Sequence, residues 1–176
     1  MVGVLIHWAY LRIRLAGLSL DMIIISGDGN CQFRSCSQQL FGCQTHHLYV
    51  RAAAVEYMRE HASEFQGFFA GNQFDSYLVR MKRGRTWGDE LTLRAICNCF
   101  SCHIHVVTSE QHHWYLRYAP DKGVHGRSKD SKHTEMRRKT GTVARATHQE
   151  TGGNSDKSAS CSTCFKSAAC STCFVD

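Results

Sequence analysis

The sequence of 176 residues has little that would attach it to a membrane or carry it out of the cell. It contains no apolar stretch of about 18 residues, so no membrane-spanning helix is expected. Residues 1–10 are apolar, but they have no basic start and no clear small-residue cleavage site, which argues against a secretory signal peptide. The chain is therefore expected to be intracellular and cytoplasmic, with most of its ten cysteines as reduced thiols.

The chain has only one proline, Pro120, and the composition changes near it. All tryptophans and tyrosines precede it, whereas residues 121–176 hold only Phe165 and Phe174 as aromatics and are rich in polar residues. Such a segment buries too little apolar surface to offset its ordering entropy. The predicted division is an N-terminal extension (1–14), a folded domain (15–120) and a basic, cysteine-containing, low-complexity tail (121–176) that is mostly disordered.

Aromatic residues are missing from the basic cluster at residues 132–139. The cluster is a candidate nuclear address, but no nucleic-acid-binding fold accompanies it. A nucleic-acid partner is therefore not expected.

The tail also lacks the spacing of a zinc site. Two Cys-x-x-Cys pairs occur within a nine-residue repeat, at Cys161, Cys164, Cys170 and Cys173. Only five residues separate the pairs, fewer than the ~15–20 of common zinc ribbons. The repeat is interpreted as a duplicated low-complexity segment, and neither a metal nor a cofactor is expected.

A strand-to-helix turn is the most informative feature that is present. Residues 22–25 form a short β-branched run typical of a buried strand, and the next residues are Gly27-Asp28-Gly29-Asn30-Cys31. Helical spacing begins at Cys31 and ends before a glycine suited to a C-cap. A cysteine in a first helical turn meets free backbone N–H groups and the positive end of the helix dipole, and both favour the thiolate. The turn therefore predicts a thiol nucleophile, Cys31.

Two other interpretations of this turn compete with the nucleophile. Most buried cysteines are inert, and the chain has ten of them. A phosphate-binding loop would need a Gly-Lys-Ser/Thr ending or Gly-x-Gly-x-x-Gly spacing, and this turn has neither. The joint occurrence of Asp28, Gly29, Asn30 and Cys31 at one turn favours the nucleophile.

The rest of the first 120 residues predicts helices packed on a small sheet. Helices are expected over 47–61 and after a capping box at residues 86–89, and two short helices or turns over 65–70 and 74–82. Strands are expected over 104–108 and 114–118. The predicted fold class is α/β (α+β), a small sheet flanked by helices and followed by an irregular tail.

The turn and the motifs after it resemble one known family. Residues 28–34 and 37–42 look like the nucleophile motif of the ovarian-tumour (OTU) cysteine proteases, and the similarity resumes at residues 50–51, 86–95, 104–109 and 114–118. The resemblance implies a papain-like thiol protease fold and a deubiquitinase that cleaves isopeptide bonds after the ubiquitin C-terminus. It implies ubiquitin or polyubiquitin as the partner, and a monomer is expected.

The resemblance also implies roles for single residues. Cys31 is the expected nucleophile, Asp28 shapes the oxyanion loop, and Gly29 and Asn30 form that loop. The family's histidine, followed by an aromatic residue and Asn or Asp, does not recur after Tyr118, so the domain is expected to lack the family's last strand. The general base is therefore unassigned, with His148, which follows a weakly strand-like segment, as a candidate. The alternative function is an inactive OTU-like ubiquitin-binding module or a truncated variant.

Overall fold

The structure, a computed structural model, describes residues 2–121, 142–146 and 171–175. Six α-helices are present in this part of the chain: α1 (Val2–Gly17), α2 (Cys31–Phe41), α3 (His47–Glu60), α4 (Ala62–Phe65), α5 (Gln73–Met81) and α6 (Glu90–Phe100). A single 3₁₀ turn (Gln66–Phe68) follows α4. The strands are β1 (Asp21–Ile25), β2 (Ile104–Thr108), β3 (Tyr115–Tyr118), β4 (Thr142–Ala146) and β5 (Ser171–Val175).

The five strands form one mixed sheet in the order β1-β4-β5-β2-β3. β4 runs parallel to β1, with Ile25 opposite Ala146, and the other neighbours are antiparallel. The two strands that are latest in the sequence thus lie in the middle of the sheet, between β1 and the β2–β3 hairpin.

The main core lies between one face of this sheet and helices α2 to α6. Ile104 and Val106 of β2 are fully buried there with Phe33 of α2 and Ile96 of α6. Alternate residues of a strand point to opposite faces, so Val107 lies on the other side. There it packs with Leu11 and Leu15 of α1 in a second, smaller cluster. Helices therefore cover both faces of the sheet, as the predicted fold class requires.

The main elements predicted from the sequence are confirmed, and one detail is wrong. The strand before the turn, the helix at Cys31 and the β2–β3 hairpin form as expected. The capping box begins at Asp89 rather than at Thr86, because the Asp89 side chain accepts from the Thr92 N–H while the Thr92 hydroxyl accepts from the Asp89 N–H. The Thr86 hydroxyl donates instead to the carbonyl oxygen of Arg80.

The domain division differs from the structure at both ends. The boundary expected at residue 15 falls within α1, and Leu11, in the supposed extension, is fully buried against the sheet. In the predicted irregular tail, residues 142–146 and 171–175 form β4 and β5, so the domain does not end at residue 120 and later strands complete its sheet. Local sequence favours a strand only weakly in these two segments, because neither is strongly apolar. The other residues of the tail lie outside the described ones, and the division as a whole stays a prediction.

Neither α1 nor any other helix in the described part of the chain is long and apolar enough to cross a lipid bilayer. The six cysteines among residues 2–121 form no disulfide with one another.

The packing of α1 gives a test of the corrected N-terminal boundary. Leu11→Ala is expected to lower the free energy of unfolding by about 2–5 kcal/mol, because it opens a cavity under a fully buried side chain. Ile13→Ala on the same helix, where the side chain is 68% exposed, is expected to change it by no more than about 0.5 kcal/mol. Urea denaturation measures both. Equal costs for the two variants would show that α1 does not pack on the sheet.

Candidate active site

Cys31 is the first residue of α2, and the turn that carries it begins where β1 ends at Ile25. The cysteine is half-buried, and its N-terminal neighbour Asn30 occupies the N-cap position without giving a side-chain cap. The first backbone N–H groups of a helix have no partner within the helix, and the helix dipole adds positive potential around them. The fold therefore places the Cys31 thiol where negative charge is favoured, as the sequence predicted.

The turn has no room for a side chain at Gly29. This residue has φ +79°, in the left-handed region, and a Cβ built on it would lie 2.4 Å from the backbone oxygen of Arg85. Arg85 is itself left-handed, with φ 66°. The backbone before α6 thus rests directly on the backbone of the nucleophile turn, which only glycine allows.

Asp28 closes the turn with five hydrogen bonds. Its Oδ1 accepts from the Asn30 N–H (3.1 Å) and Arg34 Nε (3.1 Å), and its Oδ2 accepts from Asn30 Nδ2 (2.9 Å), Arg34 Nη2 (2.7 Å) and, at 3.2 Å, also from Arg34 Nε. These bonds, those from Arg34 foremost, hold the pKa of Asp28 well below its usual range. The carboxylate therefore stays ionised and is paired with Arg34 rather than available for acid–base chemistry.

The buried Asn30 connects other segments of the chain through hydrogen bonds and does not serve as an oxyanion donor. Its Oδ1 accepts from Arg51 Nη2 (2.9 Å) and from the Arg85 N–H (2.8 Å), and its backbone N–H is already bonded to Asp28. The Gly29 N–H has no acceptor within the described part of the chain. The N–H groups of Gly29 and Cys31 stay the expected oxyanion donors of this loop.

The start of α6 packs against the first turn of α2. Gln32 Nε2 donates to the Asp89 carbonyl oxygen (2.9 Å), and a Cβ at Gly88 would lie 1.6 Å from Gln32 Oε1. The Tyr77 hydroxyl donates to Asp89 Oδ1 (2.9 Å), which holds the N-cap of α6 from α5. Helices α5 and α6 therefore fix one side of the cysteine turn.

Gln44 fixes the other side. Its side-chain amide donates to the carbonyl oxygen of Ile24 (3.0 Å) and accepts from the Ser26 N–H (3.3 Å), as a neighbouring strand would. Its own carbonyl oxygen accepts from Arg34 Nη1 (3.3 Å). The end of β1, the turn and the loop after α2 are thereby joined.

The structure brings Asp28, Gly29, Asn30 and Cys31 together as the sequence predicted, but it leaves other candidates untested. His148, Cys161, Cys164 and Cys170 lie outside the described residues. Within the described part of the chain, no three His, Cys, Asp or Glu side chains are grouped to hold a metal ion.

Sequence reasoning gave no role to Arg51, Gln32, Gln44 and Arg85. Only for Arg51 does the sequence hint at a role, because Arg51 is a charged residue beside the apolar face of α3.

A cysteine that begins a helix behind a glycine turn, near free backbone N–H groups, is an arrangement in which thiol nucleophiles occur. The model of the family of OTU-like cysteine proteases matches residues 26–123. Because this match covers more than half of the 176 residues, the chain belongs to that family.

Two relatives in Arabidopsis thaliana are similar to this chain over more than a hundred residues each. The OVARIAN TUMOR DOMAIN-containing deubiquitinating enzyme 9 is 37% identical over 109 residues, which are 62% of this chain and 31% of the relative. Enzyme 10 of the same series is 34% identical over 118 residues, 65% of this chain and 33% of the relative. The chain thus spans about a third of the length of these relatives.

Among solved structures, the OTU domain of OTUD1 is similar to this chain. It has a TM-score of 0.49 and 19% identity, and the similarity covers 69% of this chain and 75% of that one.

The close approach at Gly29 predicts a strong effect of one methyl group. Gly29→Ala is expected to lower the free energy of unfolding by about 1–3 kcal/mol or more, because its φ of +79° disfavours a Cβ and the clashing atom is backbone. Gly67→Ala is the matched control, since a Cβ there meets nothing within 4 Å. Thermal denaturation compares the variants. A Gly29→Ala protein as stable as Gly67→Ala would refute the described contact.

The lowered pKa of Asp28 predicts an acid-dependent contribution to stability. Since the pKa is lower in the folded than in the unfolded chain, where ~3.9 is usual, the contribution is present at neutral pH and is lost as the pH falls below about 4. Asp28→Asn is expected to cost about 1 kcal/mol near pH 7, because the pair is partly exposed, and less near pH 2. Unfolding titrations at several pH values measure this.

Asp121→Asn is the control that distinguishes an effect on the nucleophile turn from the loss of any ionised carboxylate. The Asp121 carboxylate also has a lowered pKa, through Asn98 and Arg94, but lies outside the turn. Asp121→Asn should therefore leave the alkylation rate of Cys31 unchanged, whereas Asp28→Asn should alter it. A cost of Asp28→Asn that stays constant down to pH 2 would contradict the assignment.

Proposed function

We propose that this chain is a thiol-dependent deubiquitinase that hydrolyses isopeptide bonds after the C-terminus of ubiquitin. The observation that carries the proposal is the position of Cys31, at the first residue of α2 behind the Gly29 turn. Membership of the OTU-like cysteine protease family and the printed names of the relatives, which are deubiquitinating enzymes, support the substrate class.

In the first step the Cys31 thiolate attacks the carbonyl carbon of the isopeptide bond. The carbonyl oxygen becomes negatively charged, and the N–H groups of Gly29 and Cys31 are the donors placed to stabilise it. Such donors act strongly because they are oriented before the charge develops. The tetrahedral intermediate then collapses, the C–N bond breaks, and the lysine amine leaves with the proton that the general base took from the Cys31 thiol. Water hydrolyses the thioester and restores the thiol.

His148 is the histidine that we propose to test as the base. It lies outside the described residues, and its place in the chain is the reason for choosing it. β4 is the parallel neighbour of β1, so both strands leave the sheet at the same edge. From that edge β1 leads to Cys31, and His148 comes two residues after the end of β4 at Ala146. The expectations of a monomer and of a cytoplasmic location stay predictions.

The test combines two assays with four variants. Wild-type protein is incubated with polyubiquitin chains and, separately, with ubiquitin that carries a C-terminal electrophile. Cys31→Ala should abolish both cleavage and labelling. His148→Ala should slow cleavage by about 10²–10⁴-fold, because the leaving amine loses its proton donor, and should reduce labelling less.

Cys43→Ala and His133→Ala are the matched controls. Cys43 is a partly exposed thiol with a lowered pKa, caused chiefly by its hydrogen bond with Thr45, so it tests whether any reactive cysteine suffices. Both controls should keep full activity. Loss of activity in Cys43→Ala alone would reassign the nucleophile. Binding of ubiquitin by the wild-type protein without cleavage or labelling would refute the enzyme and favour an inactive ubiquitin-binding module.

A further inference from the structure

Arg51 is a buried cation for which the proposed chemistry has given no role. It lies in the second turn of α3 with 1% of its surface exposed, which makes it one of the largest fully buried side chains. A buried charge is costly unless it is paired, yet no ion pair to Arg51 exists within the described residues. Its Nε also has no hydrogen-bond partner there.

Neutral oxygens take the place of a carboxylate around this guanidinium. Nη1 donates to the carbonyl oxygen of Met81 (2.9 Å), and Nη2 donates to Asn30 Oδ1 (2.9 Å) and to the carbonyl oxygen of Thr86 (2.6 Å). The guanidinium carbon lies 3.9 Å from the centre of the Phe33 ring. Arg51 therefore joins the nucleophile turn, the end of α5 and the segment before α6 through one planar group.

We propose that Arg51 is the positioning residue of the nucleophile turn: its guanidinium fixes Asn30, so that the N–H groups of Gly29 and Cys31 face the substrate carbonyl, and supplies positive charge beside the thiol. The role in turnover rests on the proposed function, whereas the effect on the thiol does not depend on the substrate. Asn30 is the link because Arg51 and the Arg85 N–H both hold its Oδ1.

The charge arrangement around Cys31 agrees with this role. Asp28 and Arg34 are paired at 2.7 Å and largely cancel, which leaves Arg51 as a buried charge without a carboxylate partner. Burial lowers the pKa of Arg51 to about 10, so it stays protonated at neutral pH, and the charges of Asp28 and Cys31 oppose that shift. The interaction is mutual, so the cation that is favoured by a Cys31 thiolate also favours that thiolate.

Two substitutions separate charge from geometry. Arg51→Met keeps an apolar stem and removes the charge, whereas Arg51→Lys keeps a charge and loses the planar fork. Arg94→Met is the matched control, because Arg94 also lies over a phenylalanine ring (5.7 Å from the ring of Phe65) but contacts nothing in the turn. Each variant is measured at a temperature at which circular dichroism shows it to be folded.

The first readout is the rate at which iodoacetamide alkylates Cys31 at pH 7, followed on the Cys31 peptide by mass spectrometry. Arg51→Met should slow this rate by about 3–10-fold, because the thiolate fraction falls. Arg51→Lys and Arg94→Met should stay within about twofold of the wild type, since neither removes the charge beside the thiol.

The second readout is the division between kcat and KM for cleavage of a ubiquitin conjugate. Arg51→Lys should lower kcat about tenfold with KM unchanged, because the oxyanion donors are misplaced only for the transition state. A purely structural Arg51 would lower the melting temperature in both variants and leave the alkylation rate and kcat per folded molecule at the Arg94→Met values. That result overturns the proposal.

The outcomes also separate this proposal from the proposed function. If the wild type cleaves no ubiquitin conjugate, the proposed function fails, and the alkylation rate of Arg51→Met still decides whether Arg51 acts on the thiol. If Arg51→Met does not fold, Arg51→Lys decides: an unchanged kcat refutes positioning, and a lowered kcat with unchanged KM supports it.

Discussion

The buried carboxamide of Asn30 is the connection on which the rest of the site depends. It lies behind the cysteine, is only 4% exposed, and receives hydrogen bonds from a helix and from a distant loop while donating to Asp28. Leaving a buried polar group unpaired is costly, so a hydrogen-bonded network of this kind favours one arrangement over the others. The short distances between segments that are far apart in sequence follow from this requirement, and so does the need for glycine where the backbones touch.

The charged groups near the cysteine differ in hydration and in their partners as well as in sign. Arg34 meets Asp28 in a bidentate pair near the surface, where both groups keep part of their hydration. Arg51 is dehydrated and faces only dipoles and an aromatic ring. The Asp28–Arg34 pair orders the backbone and adds little net electric field. The dehydrated Arg51, in contrast, is a source of electric field in a medium of low dielectric constant.

The nucleophile turn could be predicted from the sequence, and its supports could not. β-branched residues, glycines and helical spacing act over a few positions, so the strand, the turn and the helix at Cys31 followed from local preferences. Arg51, Gln44 and Arg85 act across 20–55 positions, and nothing in a local pattern states which oxygen a side chain will meet. The same holds for β4 and β5. Their residues show weak strand character, and partners on both sides in the sheet supply what local propensity lacks.

The strand order has a consequence for the folding of this protein during its synthesis. β1 carries the nucleophile turn, and it reaches β2 only through β4 and β5, which come last in sequence among the described strands. Contacts between residues so far apart in the sequence form slowly, because a long loop must close at an entropic cost before the contacts can stabilise the fold. A nascent chain can build the helical core early, but its sheet stays open until residue 175 has left the exit tunnel. Synthesis of β5 is therefore the event that allows the nucleophile strand and the central sheet to be joined.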